Sequence, residues 1–451
     1  MNINNKISGH PTGSLREIAN IALPLMLTNL SSNLMLFFDR LIIAQYSSAA
    51  MNAAITIGIT CSIFHFAATA ITATAEIFVG RHFGAQQMQR IGQPIWQMIW
   101  FSLFTFALFI PLALFAGNIL VQQEYRSIGM PFYHWYMLCG PVFPFVMALT
   151  SFYVGRGKTR LITCTMIFAN IVNLILAAVL VLGFKNIIPA FGMCGAAIAT
   201  ITAQLLQAII LLVIFLNKNN RKCYGTGNYY LQRTAFLNCL KIGVPMALGY
   251  MIELSSWTFL LRALTSSGTE YITVFAIGQS LFILFAFITD GMQKSVTVLA
   301  ANYIGAKLLP AISSMMWSAI KLQLLCAVII LIPLFFCADM ILQSFAVNVN
   351  LNSMPELHQM LRYALFWFWI FFICDGIKWI LAGTLLALED AIAVVCLNFF
   401  SIWLFAVLPI YFLVGKFKLP PLMTWGFVVA YSIVNVISLW LKYSRHHQQA
   451  Q

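Results

Sequence analysis

The chain alternates long apolar stretches with short polar segments. Twelve stretches hold a window of about 20 mostly apolar residues, the length of helix that crosses a bilayer. They predict transmembrane helices, here called spans, at 18–42, 50–76, 94–117, 132–153, 162–183, 193–216, 241–264, 271–298, 314–337, 360–386, 392–414 and 423–442. The pattern therefore predicts an all-α membrane protein with twelve transmembrane helices.

The composition supports this fold class and excludes several others. Of the 451 residues, 61% are apolar and 8% are charged, whereas a soluble domain carries about a quarter charged residues. The net charge of +13 is spread through the predicted loops, so it does not indicate a nucleic acid partner. The ten cysteines are scattered without a C-x-x-C pair, which argues against a disulfide framework, a zinc ribbon or an iron–sulfur site.

Lysine and arginine fall mainly on one side of the predicted membrane. If the N-terminus is cytoplasmic, sixteen of the 25 lie in cytoplasmic segments, seven on the outer side, and two, Lys294 and Lys378, inside spans. Cytoplasmic loops of membrane proteins carry an excess of these residues. We therefore expect both termini in the cytoplasm, which requires an even number of spans.

The second half of the chain repeats three landmarks of the first half in the same order. Each of the three landmark residues has a counterpart 221 or 231 positions later: Pro24 with Pro245, Gly84 with Gly305, and Gly195 with Gly426. This order indicates a duplication of six helices. Because six is even, both copies insert the same way up and are related by a pseudo-two-fold axis along the membrane normal.

The duplication also predicts the domain boundaries. We expect an N-lobe at 15–216, a cytoplasmic linker at 217–240, which contains the longest polar stretch, and a C-lobe at 241–443. Two six-helix bundles facing each other across a central cleft is the expected architecture.

Ionisable side chains inside the predicted spans are candidates for function, because a charge within the bilayer costs several kcal/mol. Asp39 lies in span 1, Glu253 in span 7 and Asp375 in span 10. A buried carboxylate can exchange a proton near neutral pH or be held ionised by a sodium ion. These residues indicate transport of a solute coupled to an ion.

Each of these charges also has a structural interpretation. Asp39 could pair with the adjacent Arg40 near the outer interface, and Asp375 with Lys378, which follows three residues later on the same helical face. In span 8, Asp290 and Lys294 are four residues apart, a spacing that fits a local ion pair. Such pairs would only position helices.

Uncharged side chains in the spans are weaker candidates. Asn170 and Asn173 lie one turn apart in span 5, where amides either bond across helices or line a cavity. Trp257 follows Glu253 by one turn in span 7 and is a candidate for lining a cavity for apolar compounds.

Motifs for other activities are absent from the sequence. There is no Gly-rich phosphate loop with its lysine, no H-E-x-x-H and no G-x-S-x-G. We therefore expect neither ATP hydrolysis nor enzymatic activity, and no cofactor other than a coupling ion, Na⁺ or H⁺.

Eight segments, in their order along the chain, resemble the multidrug and toxic compound extrusion (MATE) family. They are EIANIALPLMLTN, IFVGRHFGAQQ, GRGKTR, NIVN, GMCGAAIATITAQ, KIGVPMALGYMIE, VTVLAANYIGAK and CDGIKWILAGTLLALEDA. The resemblance covers nearly the whole chain. It implies the MATE fold, a bacterial plasma membrane location and export of organic cations in exchange for sodium or protons.

The resemblance also implies roles for individual residues. Asp39 matches the acidic position of the first span, and Asn173 the fifth-span asparagine of the N-lobe. Glu253 and Asp375 match the carboxylates of the C-lobe cation site in the NorM-like, sodium-linked branch, so the resemblance implies that they are Na⁺ ligands.

The sequence departs from the family pattern at three places. Ala177 stands where the other major prokaryotic branch usually has an aspartate, which puts an N-lobe proton site of that kind in doubt. TLLALED stands where the family commonly has an arginine–glycine pair, near Leu386 and Ala387. Lys378 beside Asp375 could replace the coupling cation or contact an anionic substrate.

The leading hypothesis is a monomeric secondary exporter of cationic or amphiphilic organic compounds, working by Na⁺- or H⁺-coupled antiport and alternating access. The alternative is a flippase or dedicated exporter for a lipid-linked saccharide or a single metabolite, including an anionic one, which Lys294 and Lys378 would favour. The lipid bilayer and a small-molecule substrate are the expected partners. The residues expected to contact substrate or line its cavity are Asn170, Asn173, Lys378, Asp290, Lys294 and Trp257.

Overall fold

A computed structural model describes residues 7–184, 187–345 and 355–450 of the chain. Within these ranges twelve helical segments are long and apolar enough to cross a membrane. In chain order, spans 1 to 12 are Leu15–Tyr46, Ser48–Gly84, Met88–Phe115, Gln123–Val154, Thr159–Leu182, Met193–Phe215, Arg233–Thr265, Glu270–Gly305, Leu309–Phe336, His358–Ala387, Ala391–Val414 and Met423–His446. The predicted all-α, twelve-helix fold is confirmed.

Most of the observed helices are longer than the predicted windows; span 6, at Met193–Phe215, is one residue shorter. Span 4, predicted at 132–153, begins at Gln123, and the helix of span 10 runs over Pro355–Ala387. A hydropathy window detects only the apolar part of a helix, whereas the hydrogen-bonded backbone continues into polar residues at the ends. The differences therefore lie at helix ends and do not change the number of helices.

Four spans are interrupted. Span 2 consists of Ser48–Ala73 and Ala75–Gly84, and span 3 of a 3₁₀ turn at Met88–Arg90 followed by Gly92–Phe104 and Phe106–Phe115. Span 4 consists of a 3₁₀ turn at Gln123–Tyr125, then Arg126–Leu138 and Val142–Val154. In span 11, Ala391–Ile402 continues into two π-helical segments, Trp403–Val407 and Ile410–Lys416, separated by Leu408 and Pro409. A proline has no N–H to donate within a helix, which explains why the irregular backbone surrounds Pro409.

The remaining helices are short or extend a span. Gly117–Leu120, Lys218–Tyr224 and Ala338–Phe345 lie between spans. The helices of spans 8 and 12 run over Thr269–Gly305 and Met423–Ala450.

The chain forms two compact units. Of the described residues, unit 1 contains those within Met1–Gly9, Leu27–Ala247 and Ala301–Lys307. Unit 2 contains those within His10–Met26, Leu248–Ala300 and Leu308–Gln451. The changes of unit after Met26 and after Ala247 are 221 positions apart, the same offset that separates Pro24 from Pro245. The predicted lobes, 15–216 and 241–443, were defined by the sequence repeat and stay a prediction.

Unit 1 fixes the segment predicted as a linker against the start of span 3. Trp96 Nε1 donates to the Thr226 carbonyl at 2.8 Å, and Trp100 Nε1 donates to the Tyr229 carbonyl at 2.8 Å. Gln97 Nε2 donates to the Tyr230 carbonyl at 3.1 Å. These bonds give the backbone carbonyls of a polar segment partners on one helix.

The repeated glycines Gly84 and Gly305 mark close backbone contacts within unit 1. A Cβ atom at Gly84 would lie 2.0 Å from the Asn302 carbonyl oxygen, and one at Gly305 would lie 2.0 Å from the Arg81 carbonyl oxygen. No side chain fits at such distances, and the obstacle is backbone. The pair of glycines allows the ends of spans 2 and 8 to cross.

Replacing Gly84 by alanine is therefore expected to destabilise the protein by about 1 to 3 kcal/mol, the usual cost of overpacking. Thermal unfolding of the purified protein in detergent measures this, and Gly305→Ala should behave in the same way. Gly58→Ala in the same span is the control, because a Cβ there meets nothing within 4 Å. Equal Tm values for Gly84→Ala and Gly58→Ala would contradict the close contact.

Asp390, between spans 10 and 11, binds the end of the last helix. Its Oδ2 lies 2.9 Å from Lys442 Nζ and 2.7 Å from His446 Nε2. Burial acts to raise the pKa of the Asp390 carboxyl, but the hydrogen bonds and charges of His446 and Lys442 together hold this pKa below its usual value. The ion pairs therefore stabilise the fold above the ordinary aspartate pKa of about 4, and this contribution is lost as pH falls through the folded value.

Asp390→Asn should accordingly lower the free energy of unfolding by no more than about 1 kcal/mol at neutral pH, because the pairs are partly exposed. The difference from the unsubstituted protein should vanish in acid. Thermal unfolding across a pH series tests both points, and a difference that grows toward acid pH would refute the assignment.

Candidate functional site

Unit 2 brings together three of the predicted residues. Lys378 Nζ lies 2.7 Å from Asp375 Oδ1, on the same helical face of span 10, and 3.4 Å from Glu253 Oε1 of span 7. One ammonium group thus contacts two carboxylates from different helices. The predicted Asp375–Lys378 pair is formed, and Glu253 joins it.

Burial divides this triad into an inner pair and an outer carboxylate. The side chains of Asp375 and Lys378 are 1% and 3% exposed, whereas that of Glu253 is 15% exposed. Lys378 Nζ also lies 4.3 Å from the centre of the Trp379 ring, a favourable cation–π distance. The ammonium is therefore enclosed, and Glu253 is the member of the triad that solvent can reach.

Two asparagines that the sequence did not single out orient Glu253. Asn398 Nδ2 of span 11 donates to Glu253 Oε2 at 3.3 Å, and Asn435 Nδ2 of span 12 donates to Asn398 Oδ1 at 2.7 Å. Each is a lone amide in an apolar stretch, CLNFF and SIVNV, which is the signal that could have identified it. Spans 7, 10, 11 and 12 all contribute to the site.

The predicted ion pair between Asp290 and Lys294 is not observed. Asp290 is exposed and Lys294 half-buried, and within the described ranges neither forms a direct ion pair. A pair with one exposed member gains little electrostatic attraction in return for the side-chain entropy that it loses, so the spacing alone does not bring the two groups together. Asp290 nevertheless lies within electrostatic range of Lys294 and of the triad.

Trp257 belongs to an aromatic cluster beside the triad. Its ring centre lies 6.2 Å from Phe275, 6.3 Å from Phe371 and 6.1 Å from Tyr431. The Tyr431 ring centre is 5.9 Å from Lys378 Nζ, so the cluster adjoins the charged groups. An apolar surface and a carboxylate are thus found side by side in unit 2.

Unit 1 holds a second cluster around Asp39. Asn173 Nδ2 of span 5 donates to Thr200 Oγ1 of span 6 at 3.2 Å, and the Asp39 carboxylate lies near the same hydroxyl without a direct hydrogen bond to it. Thr200 donates to the Ala196 carbonyl at 3.0 Å. A hydroxyl has one hydrogen to donate, so this bond leaves none for Asp39.

Two oxygens of this cluster lack a hydrogen-bond partner in the part of the chain that the structure describes. They are Asp39 Oδ1 and Asn173 Oδ1, both buried. Arg40 is exposed and makes no ion pair with Asp39 among the described residues, because adjacent residues on a helix point in different directions. The predicted Asp39–Arg40 alternative is therefore not observed, and Asp39 is left without a cationic side chain.

Asn170 has a different environment from Asn173. Its Nδ2 donates to Ser31 Oγ of span 1 at 2.7 Å, and about two turns earlier in span 5 the hydroxyls of Thr28 and Thr163 form a hydrogen bond of 2.9 Å. These bonds join spans 1 and 5, which is the interhelical role considered for Asn170. Ala177, one turn after Asn173, is fully buried and brings no second carboxylate.

The triad of unit 2 does not fit the sodium ion that the resemblance implies. The position between Asp375 and Glu253 that a shared cation would take is occupied by Lys378 Nζ. A second cation there would meet a like charge and would have few remaining oxygens, since Glu253 Oε2 already accepts from Asn398. Within the described residues no group of three or more His, Cys, Asp or Glu side chains is placed to hold a metal ion.

Comparison with known proteins finds a matching family model and several relatives that share one description. The MatE family model matches residues 24–179 and 245–412. A probable multidrug resistance protein NorM of Oceanobacillus iheyensis is 23% identical over 436 residues, which cover 91% of this chain and 92% of that protein. A similar protein of Pasteurella multocida, with the same description, is 23% identical over 444 residues, 94% of this chain and 92% of the relative.

Solved structures share the fold. The crystal structure of a MATE protein in complex with MaL6 superposes with a TM-score of 0.85 at 15% sequence identity, covering 100% of this chain and 99% of the other. At this identity the likeness concerns the fold alone.

Proposed function

The chain belongs to the MatE family, and on that basis we propose that it exports organic cations and cationic amphiphiles by ion-coupled antiport with alternating access. The NorM descriptions of its relatives support multidrug efflux as the activity. The expected location is the plasma membrane of a bacterium, with both termini in the cytoplasm as the distribution of positive charge indicates.

The charge balance of the C-lobe triad is the observation that carries the substrate class. Two carboxylates and one ammonium leave one negative charge when all three are ionised, and the exposed member is Glu253. A partly exposed carboxylate beside an aromatic cluster suits a substrate with one positive charge and an apolar body. Trp257 and Tyr431 supply apolar contact, and Glu253 supplies the counter-charge.

The same geometry disfavours the alternative of an anionic substrate. That alternative depended on Lys294 and Lys378, and the ammonium of Lys378 is bound by two carboxylates. An anion would have to displace Asp375 at 2.7 Å and would leave that carboxylate buried without a partner. A flippase for a lipid-linked anion therefore has little support from this site.

Asp39 is the proposed site of ion coupling, and the proposed ion is a proton. A proton neutralises a single buried carboxylate without further ligands, whereas sodium needs several oxygens. Around Asp39 the Thr200 hydroxyl accepts from Asn173 and donates to Ala196, so few lone pairs face the carboxylate. Protonation from outside would remove the negative charge beside the Thr200 hydroxyl and give the Asp39 carboxyl a hydrogen to donate, which would change the bonding between spans 1 and 6.

In the proposed cycle, protonation of Asp39 and binding of the organic cation at Glu253 oppose each other. Linkage requires this effect to be reciprocal, so the substrate should also weaken proton binding. Alternating access then exchanges the two positive charges across the membrane.

Substitution Glu253→Gln tests the substrate site. We expect binding of a monovalent organic cation to the purified protein to weaken about tenfold or more, because a charge-assisted contact is lost. Glu270→Gln, at an exposed position near the start of span 8, is the matched control and should bind as the unsubstituted protein does. Unchanged affinity in Glu253→Gln would remove Glu253 from the substrate site.

A further inference from the structure

We infer that Lys378 is a cation built into the C-lobe, where it takes the place of an alkali cation between Glu253 and Asp375. The site therefore binds no sodium while Lys378 is present. This inference refines the ion coupling of the proposed function. The exclusion of sodium from the site does not depend on that function, whereas its consequence for transport rests on it.

The contacts of Lys378 are those of a bound cation. Its ammonium bridges carboxylate oxygens on spans 7 and 10 at 3.4 and 2.7 Å and faces the ring of Trp379 at 4.3 Å. The groups that would surround a monovalent ion in this place are thus already assembled around the ammonium. A lysine is tethered to its helix, so this cation cannot leave with the substrate or with the gradient.

The spacing along span 10 explains why the lysine reaches this position. Residues three apart on a helix face the same side, so the flexible side chain of Lys378 folds back over Asp375. The pair is almost fully enclosed, so an ion that lay between the two carboxylates would have to displace the ammonium.

The remaining acceptors are too few for a second ion. Glu253 Oε1 faces the ammonium, and Glu253 Oε2 accepts from Asn398. Asp375 Oδ2 has no hydrogen-bond partner in the described ranges, but it is buried next to the ammonium. One enclosed oxygen beside a positive charge does not form a sodium site.

The consequence for coupling is that Asp375 stays neutralised throughout the cycle. Only Glu253 remains to bind an exchangeable cation. The C-lobe therefore exchanges one positive charge, fewer than two free carboxylates would allow. A sodium gradient should therefore not act through this lobe.

Direct binding of radioactive sodium to the purified full-length protein tests the inference without any transport. All variants carry Asp39→Asn, so that the oxygens of the unit 1 cluster do not contribute. In this background we expect sodium binding at background level with Lys378 present. Lys378→Met, which keeps most of the length of the side chain and removes its charge, should create saturable binding that is lost again when Asp375→Asn is added.

Lys294→Met in the same background is the matched control. It removes another lysine within a span that contacts neither Glu253 nor Asp375, and it should leave binding at background. The measurement is made at about pH 8, well above the ordinary pKa of about 4 of a carboxyl group.

Two outcomes overturn the inference. Saturable sodium binding with Lys378 intact that disappears in Asp375→Asn would show that the ammonium does not exclude the ion. Background binding in a folded Lys378→Met would show that the two carboxylates form no cation site. Should Lys378→Met fail to fold, Lys378→Gln replaces it, and the protein with Lys378 intact still gives the first of these tests. Neither outcome bears on export driven by protons at Asp39.

Discussion

Replacing Asp39 by asparagine is expected to abolish proton-driven export while the protein stays folded. Asparagine has nearly the same shape and keeps an oxygen toward Thr200, but it cannot be protonated near neutral pH. The substitution also removes a buried charge that has no cationic side chain beside it among the described residues. Its effect on stability should therefore be small or favourable.

The loss of coupling should be large. Coupling between two binding sites is typically about 5- to 150-fold, and a variant without the titrating group should lose this whole factor. Uptake of an organic cation by proteoliposomes with an imposed pH gradient measures it. Asp339→Asn serves as control, because Asp339 pairs with Arg362 at an exposed position outside the spans. Proton-driven export at the normal rate in Asp39→Asn would exclude Asp39 as the coupling site.

Asp375→Asn is expected to destabilise the protein strongly. It leaves the buried ammonium of Lys378 with Glu253 at 3.4 Å as its remaining carboxylate. Breaking a buried ion pair by removal of one partner typically costs about 3 to 5 kcal/mol, because an uncompensated charge remains in the interior. Export should fall as well, since Glu253 would then serve as the partner of Lys378 and no longer meet a substrate.

A double-mutant cycle separates this effect from a general packing defect. Asp375→Asn combined with Lys378→Met removes both buried charges, so it should recover much of the stability lost in Asp375→Asn. Thermal unfolding of the four proteins in one detergent gives the coupling energy. Additive losses, or an Asp375→Asn variant as stable as the unsubstituted protein, would mean that the 2.7 Å contact contributes little.

The number and order of the helices could be predicted from the sequence because each span buries its backbone bonds within one apolar segment. The glycines at positions 84 and 305 were recognisable as a repeat, and the structure adds their reason, a backbone carbonyl 2.0 Å from each missing Cβ. The interruptions were less predictable. Only Pro409 gives a local signal for the π-helical backbone of span 11.

The candidate sites were predictable in part. Charge inside an apolar span identifies Asp39, Glu253 and Asp375 one residue at a time. It does not reveal that Lys378 bridges two of them, since the Glu253 contact joins residues 125 positions apart. Asn398 and Thr200 were missed because a single amide or hydroxyl is common in membrane helices, and only the fold shows which one meets a carboxylate.

The spacing of charged residues in the sequence also predicted ion pairs that the structure does not show. Asp290 and Lys294 have an ideal interval for a helical ion pair, and Asp39 has Arg40 beside it, yet neither pair forms within the described residues. Proximity in sequence gives a pair only when the side chains point to the same side and burial makes pairing worthwhile.

Proteoliposomes containing the unsubstituted protein, loaded with an organic cation and given either a pH gradient or a sodium gradient, show which ion drives export. We expect cation movement with the pH gradient alone, none with the sodium gradient alone, and loss of the proton-driven movement in Asp39→Asn. Sodium-driven movement that persists in Asp39→Asn and disappears in Glu253→Gln would exclude proton coupling at Asp39.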